Sequence, residues 1–239
     1  MKKLILLWVI LASSVSFGKV SIVVNWGDFG SVEEAAFGEK KVDFWDGDLS
    51  DDRACTESFA ALELKKFLLR VTDLEDGDIE FVKSGRVPFG DDVFILGSYE
   101  SNESIGKFGK LGVLENKESY SIKCFEDFGR VVTIIEGGDR EGVLYGVYEY
   151  LNLLGVRFYG LGEQGCVYPG GEVELITELD VVESPDYLTR GFWIESKRDA
   201  NEEFFFWIAR NKLHLWSMIS APVHYLKKFH PVIGDQELI

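Results

Sequence analysis

The segment "YSIKCFEDFGRVVTIIEGGDREGVLYGVYEYLNLLGVRFY", Tyr120 to Tyr159, leaves the chain few folds to choose from. Its first half is rich in β-branched and aromatic residues around the turn Glu126-Asp127-Phe128-Gly129, which predicts a hairpin of Tyr120–Phe125 with Arg130–Gly137. Its second half changes period. Leu144, Val147, Tyr148, Leu151 and Leu154 recur at helical spacing behind Asp139, whose carboxylate can accept free amides at a helix start. Gly155 supplies the stop, and "VRFY" returns to extended chain.

The residues before this segment fit the same layer. Val20–Val24 is a β-branched run that predicts a first strand. "DFWDGDLSDD", Asp43 to Asp52, is acidic and turn-rich, but it lacks the spacing and closing Glu of a helix-loop-helix calcium site, so a solvated loop that caps the next helix is expected. That helix is predicted from about Arg53 to Val71. Its apolar stripe is Ala60, Leu64, Phe67, Leu68 and Val71, with Asp51 or Asp52 as cap and Glu57, Glu63, Lys66 and Arg70 mostly turned elsewhere. Short strands follow at Ile79–Val82 and Val93–Leu96, and a strand-like link at Leu179–Val182. Two helices and about five strands, some antiparallel, make an α+β or open α/β layer rather than a repeat array.

Composition limits what such a layer can meet. With 46% apolar and 14% aromatic residues, 239 residues are ample for a packed core. The net charge is −16 and becomes −18 without Lys2 and Lys3 (−16 − 2), a balance that repels phosphate backbones and anionic lipid. No nucleic-acid partner is therefore expected, and no membrane contact beyond the N-terminus. Residues 1–18 read as a secretory signal: Lys2 and Lys3, then the apolar run Leu4–Ala12, then Ser16-Phe17-Gly18 at cleavage spacing. That apolar run is too short to span a bilayer, and a secreted or periplasmic location is expected. Cys55, Cys124 and Cys166 are few and far apart; one disulfide remains open, buried thiols are the favoured reading, and no metal spacing is present. No cofactor is expected, because "EGGDREG" and "GLGEQG" lack the Lys-Ser/Thr ending of a phosphate loop and no dinucleotide fingerprint occurs.

After Ser184-Pro185 the pattern reads strand (Gly191–Glu195), helix (about Asn201–Asn211) and strand (Leu213–Met218), one βαβ unit of the kind repeated in parallel barrels and sheets. A parallel pair buries both faces only if further units join it.

"AALELKKFLLRVT", "ILGSYES" and Glu118 to Tyr159 together resemble the N-terminal α/β domain of carbohydrate-active enzymes, notably bacterial α-glucuronidases and β-N-acetylhexosaminidases. "LTRGFWIESKRDANEEFFFWIARNKLHLWSM" is similar to the first strand, helix and second strand of their (β/α)8 barrel. The resemblance covers about residues 54 to 218. It implies an α/β chain: a signal over 1–18, a layered domain with a mixed sheet and two main helices over 19–183, and the start of an incomplete TIM barrel over 184–239. In such barrels the C-terminal strand ends carry the chemistry. Glu195, Lys197 and Arg198 follow the first strand, and Trp216 lies at the end of the second. By resemblance to the hexosaminidases, Arg198 is the sugar-contacting Arg eight residues beyond Arg190, and Glu195 matches their strand acid. Their His-x-x-Asp is not matched, since "HLWSM" lacks the Asp, which favours the α-glucuronidase side.

Each candidate has a plainer reading. Lys197 and Arg198 fit equally well as helix-start residues paired with Glu195, Asp199 or Glu202. Trp193 and Trp216 read first as core, and His214 as a structural histidine. Glycoside hydrolysis usually takes two carboxylic groups, and in the families resembled they lie on later strands, so no activity of this chain alone is expected. Three readings follow, in order: the N-terminal portion of a glycosidase, a non-catalytic carbohydrate-binding module, and a structural partner in an oligomer or beside a second chain that completes the barrel.

Overall fold

A computed structural model describes residues 18–44, 46–108, 114, 116–187, 189–194 and 201–218, with backbone alone for 192–194 and 215–218. Along the chain run β1 (Val20–Val24), α1 (Val32–Ala36), α2 (Leu49–Val71), β2 (Ile79–Lys83) and β3 (Asp92–Gly97). Then come β4 (Tyr120–Asp127), β5 (Arg130–Gly137), α3 (Arg140–Leu153), β6 (Arg157–Phe158), β7 (Cys166–Val167) and β8 (Leu179–Glu183). The last elements are β9 (Gly191–Ile194), α4 (Glu202–Arg210) and β10 (Leu215–Met218).

The protein is mixed α/β. Six strands form one sheet in the order β2-β1-β3-β5-β4-β8. The first four run parallel, and β4 and β8 each run antiparallel to the neighbour before them. The strand-like link expected at Leu179–Val182 is thus the edge of this sheet. Strand alternation splits the core: Ile22, Phe94 and Ile135 face α2, α3 and α4, while Val23, Ile95 and Ile134 face a smaller cluster with Ile105.

The hairpin turns through Phe128 (φ 50°) and Gly129 (φ 80°), the two left-handed residues of a tight two-residue connection. Behind it α3 lies close on the sheet because Gly142 and Gly146 carry no Cβ. One added at Gly142 would lie 2.2 Å from the Ser119 carbonyl oxygen, and one at Gly146 would lie 2.6 Å from Ile135 Cγ2.

Two expectations about α2 need correcting. The helix begins at Leu49, four residues before Arg53, and its cap is Asp48, whose side chain accepts from the Ser50 amide at 3.0 Å. Asp52 is drawn instead to the Arg140 guanidinium on α3, 2.6 Å away. Glu57 and Glu63, which lie off the apolar stripe, are buried all the same. The apolar stripe accounts for one face of α2, but α3, α4 and the loop after β3 cover the others, and polar side chains are enclosed with them.

The βαβ unit forms as expected. β9 and β10 pair in parallel with Gly191 opposite Leu215 and Ile194 opposite Met218, and Asn201 caps α4 by accepting from the Phe204 amide at 2.9 Å. None of the described helices is long and apolar enough to cross a membrane. Residues 1–17 of the proposed signal lie outside the described residues.

Candidate functional site

Of the four site candidates, Glu195, Lys197 and Arg198 lie outside the described residues. Trp216 belongs to β10, opposite Phe192 in register. What the structure does define is the junction that carries these strands.

Its deepest part is built on Glu63 of α2. Arg210, the last residue of α4, donates from Nε to Glu63 Oε2 at 2.8 Å and from Nη2 to Oε1 at 3.1 Å, a paired fork between planar groups. Tyr148 of α3 donates its hydroxyl to the same carboxylate at 3.1 Å. The guanidinium also lies 5.1 Å from the Phe67 ring centre and 5.4 Å from those of Phe158 and Phe206, so aromatic faces complete its surroundings. Three helices meet at one carboxylate. Burial disfavours the Arg210 charge, yet Glu63 outweighs it and the pKa of Arg210 rises above its ordinary value.

A second, more open part clamps the strand starts. Arg190, immediately before β9, pairs with Glu118 through Nη2 and donates to the carbonyls of Lys212 (2.9 Å) and Tyr187 (2.7 Å). His214, immediately before β10, holds Nδ1 3.0 Å from the other Glu118 oxygen, a hydrogen bond when the proton sits on that nitrogen. Burial alone would push the Glu118 carboxyl up; the contacts from His214 and Arg190 outweigh it, and the group falls below its ordinary range. Lys212 pairs with Glu149 and donates to the Tyr120 hydroxyl at 2.8 Å. Asp139 fixes the arrangement from beneath. It caps α3 through the Gly142 amide at 2.8 Å and also accepts from the Glu118 amide at 2.9 Å, which holds Glu118 in the left-handed region (φ 61°). Burial, helped by the Glu141 charge, pushes the Asp139 carboxyl above its usual range. A cavity of about 310 Å³ opens here between Tyr120, Tyr145, Glu183 and Arg190.

Both clamps hold β9 and β10 at their N-terminal ends. In a parallel barrel that end reads as stability, and the opposite end as chemistry. Glu63, Glu118 and Glu149 are each engaged by a cation and Asp139 by backbone amides, and no three His, Cys, Asp or Glu side chains among the described residues converge as metal ligands. Burial pushes the thiols of Cys55 and Cys124 up to about 12 and 11, far from a nucleophile's range, and all three cysteines are free thiols.

Glu63, Glu118, Glu149, Arg210 and Lys212 escaped the sequence reading. The Arg210–Glu63 pair spans 147 positions and the Arg190–Glu118 pair 72, and no local period encodes such a match.

No protein-family model matches the chain, and no curated protein does. Among solved structures it is similar to BtGH115A, a family GH115 4-O-methyl-alpha-glucuronidase with specificity for decorated arabinogalactans. The TM-score is 0.48 and the identity 14%, over 68% of this chain and 23% of that one. A second is CpGH84D (TM-score 0.48, 13% identity, 84% of this chain and 27% of that one). A third is a GH138 enzyme targeting pectin rhamnogalacturonan II (TM-score 0.37, 18% identity, 74% of this chain and 17% of that one). The chain thus spans about a quarter or less of the length of these structures. At such identities they are likenesses of partial fold and give no residue of this chain a role.

Proposed function

We propose that the chain is the N-terminal portion of a secreted glycoside hydrolase of polysaccharide breakdown, α-glucuronidase-like. In this reading a layered α/β domain carries and orients the first β/α unit of a (β/α)8 barrel. The observation that supports it is the parallel β9–α4–β10 unit held on the layered domain through Glu118 and Glu63, at the strand ends opposite to those where barrel chemistry gathers. Arg198, Glu195 and Lys197 follow β9 in sequence and keep the role of sugar contacts, with Trp216 as a ring platform.

The chain alone is proposed to be inactive, since glycosidic cleavage takes two carboxylic groups flanking one bond, and Glu63, Glu118 and Glu149 of the junction are each paired with a cation while Asp139 caps α3. Incubated with aryl glucuronides, aryl N-acetylhexosaminides and xylan-derived oligosaccharides, the 239-residue chain is expected to release no sugar. Clear turnover overturns the inactivity. The docking role is checked by hydrogen exchange: Arg210→Met should deprotect the β9 and β10 amides while β1 and β3 stay protected, and unchanged β9 protection would remove that role.

A further inference from the structure

Beside the junction lies a cavity of about 420 Å³, of the size that holds small ligands, between the end of α3, β6 and the end of α4. Three cations line it, Arg157, Arg210 and Lys212, together with Asn152, Asn211 and Tyr159, and no carboxylate does. In a chain of net charge −16 this is a local reversal of sign. Two of the cations are answered from outside the cavity, Arg210 by Glu63 and Lys212 by Glu149. Arg157 is not answered by an acid among the described residues. Its Nη1 donates to the carbonyls of Asn152 and Val156, the latter at 2.8 Å, which serves the end of α3 as helix-end arginines commonly do. That task uses one nitrogen of three and leaves Nη2 and Nε to a ligand. Next to it Tyr159 is 74% exposed, a large aromatic ring that the fold leaves uncovered. Asn211 donates its amide hydrogens to the carbonyls of Phe158 and Trp207, which fixes the wall shared with α4.

We propose that this cavity binds a carboxylate-bearing sugar, with the carboxylate on the free edge of Arg157 and the ring against Tyr159. A guanidinium fork matches a carboxylate in plane and spacing, and an exposed phenol ring offers a flat apolar face. The anionic character of the ligand stands on this geometry, whereas the choice of a sugar rests on the carbohydrate reading above. The site is separate from the strand ends where chemistry is proposed, so it acts in holding substrate rather than in cleaving it.

The test is a titration of the 239-residue chain with D-galacturonate, D-galactose and inorganic phosphate, followed by amide chemical shifts and calorimetry. Galacturonate is expected to shift Arg157, Tyr159 and Asn211, and to bind at least about tenfold more tightly than galactose, the worth of one charge-assisted hydrogen bond. Arg157→Gln should weaken galacturonate about tenfold, and the conservative Arg157→Lys should recover part of that. Tyr159→Ala, at an exposed position that the fold does not need, should weaken galacturonate while leaving phosphate binding unchanged. Equal binding of galactose and galacturonate, tighter binding of phosphate, or an Arg157→Gln protein that binds as the parent does would each overturn the proposal. Sugar release reads chemistry and this titration reads occupancy, so either can fail without the other.

Discussion

Glu57 and Glu63 stand on the same helix, less than two turns apart, and both are buried, at 0% and 5% exposure. The fold treats them in opposite ways. Glu63 receives the Arg210 fork and the Tyr148 hydroxyl, so a cation from the far end of the chain completes it. Glu57 receives only the Ser101 hydroxyl, at 2.7 Å, and its Oε2 has no partner among the described residues. Burial pushes its pKa from 4.5 to about 8, against the smaller pull of Ser101 and Arg53, so near neutral pH it keeps its proton. One acid ties distant elements together, and the other makes stability depend on pH.

The sharpest way to break that contrast is to remove the cation. Arg210→Met leaves the buried Glu63 charge only the half-exposed Lys66 ammonium, 3.5 Å away, and should cost about 3–5 kcal/mol of unfolding free energy in urea. The double variant Glu63→Met, Arg210→Met should lie closer to the parent than Arg210→Met does, because it leaves no buried charge uncompensated and only the Tyr148 hydroxyl without its acceptor. A loss below about 1 kcal/mol for Arg210→Met would mean that the pair is not what completes Glu63.

Glu57 supplies the next largest effect. Its folded pKa is raised, so its stabilising contribution is fully present below its ordinary value of 4.5 and is lost as pH rises toward about 8. Across that window the parent should lose on the order of 2–4 kcal/mol that Glu57→Gln does not lose. In urea midpoints from pH 4 to 9, the variant should therefore gain on the parent as pH rises. Parallel curves would assign the titration elsewhere.

Glu118 reverses the sign, being partly buried and held by the Arg190 guanidinium and the His214 ring. Its folded pKa is lowered, so its contribution is present above its ordinary value of 4.5 and lost as pH falls through the depressed folded value. Glu118→Gln should cost about 1–2 kcal/mol at pH 7, with parent and variant converging in acid. A constant difference across pH would show that the amide has damaged packing rather than charge pairing.

These acids also mark where the sequence stops being legible. The hairpin, the stripe of α3 and the parallel β9–α4–β10 unit could be read because each rests on a local period or cap, such as Asp139 and Asn201. The Leu179–Glu183 strand read only as a strand-like link, since at the sheet edge its apolar Val182 is exposed and no continuous buried run like that of β3 marks it. Glu57 and Glu63 lie off the apolar stripe yet are buried, and a wheel drawn from apolar residues does not register the loop at Ser101 that meets Glu57 or the α3 and α4 side chains that meet Glu63. The role of Asp52 changed for the same reason: its partner is Arg140 on α3. Of the candidate sugar contacts, Trp216 alone falls within the described residues. The long-range pairs that build the junction carry no local signature.

A third pair on α2 isolates what burial contributes. Arg70, seven residues after Glu63, meets Glu163 in a contact of the same chemistry as the Arg210–Glu63 pair, and Glu163 also accepts from the Tyr168 hydroxyl at 2.7 Å. Both charged side chains are more than half exposed, at 56% and 52%. Water already solvates each charge, so removing one leaves no uncompensated group, and salt screens what attraction remains. Arg70→Ala should leave the urea midpoint within measurement error at low salt and at 1 M NaCl alike. Because Arg70 and Arg210 both meet a glutamate, a loss for Arg70→Ala comparable to that of Arg210→Met would show that burial does not decide between them, and would overturn the physical account of Glu57 with it.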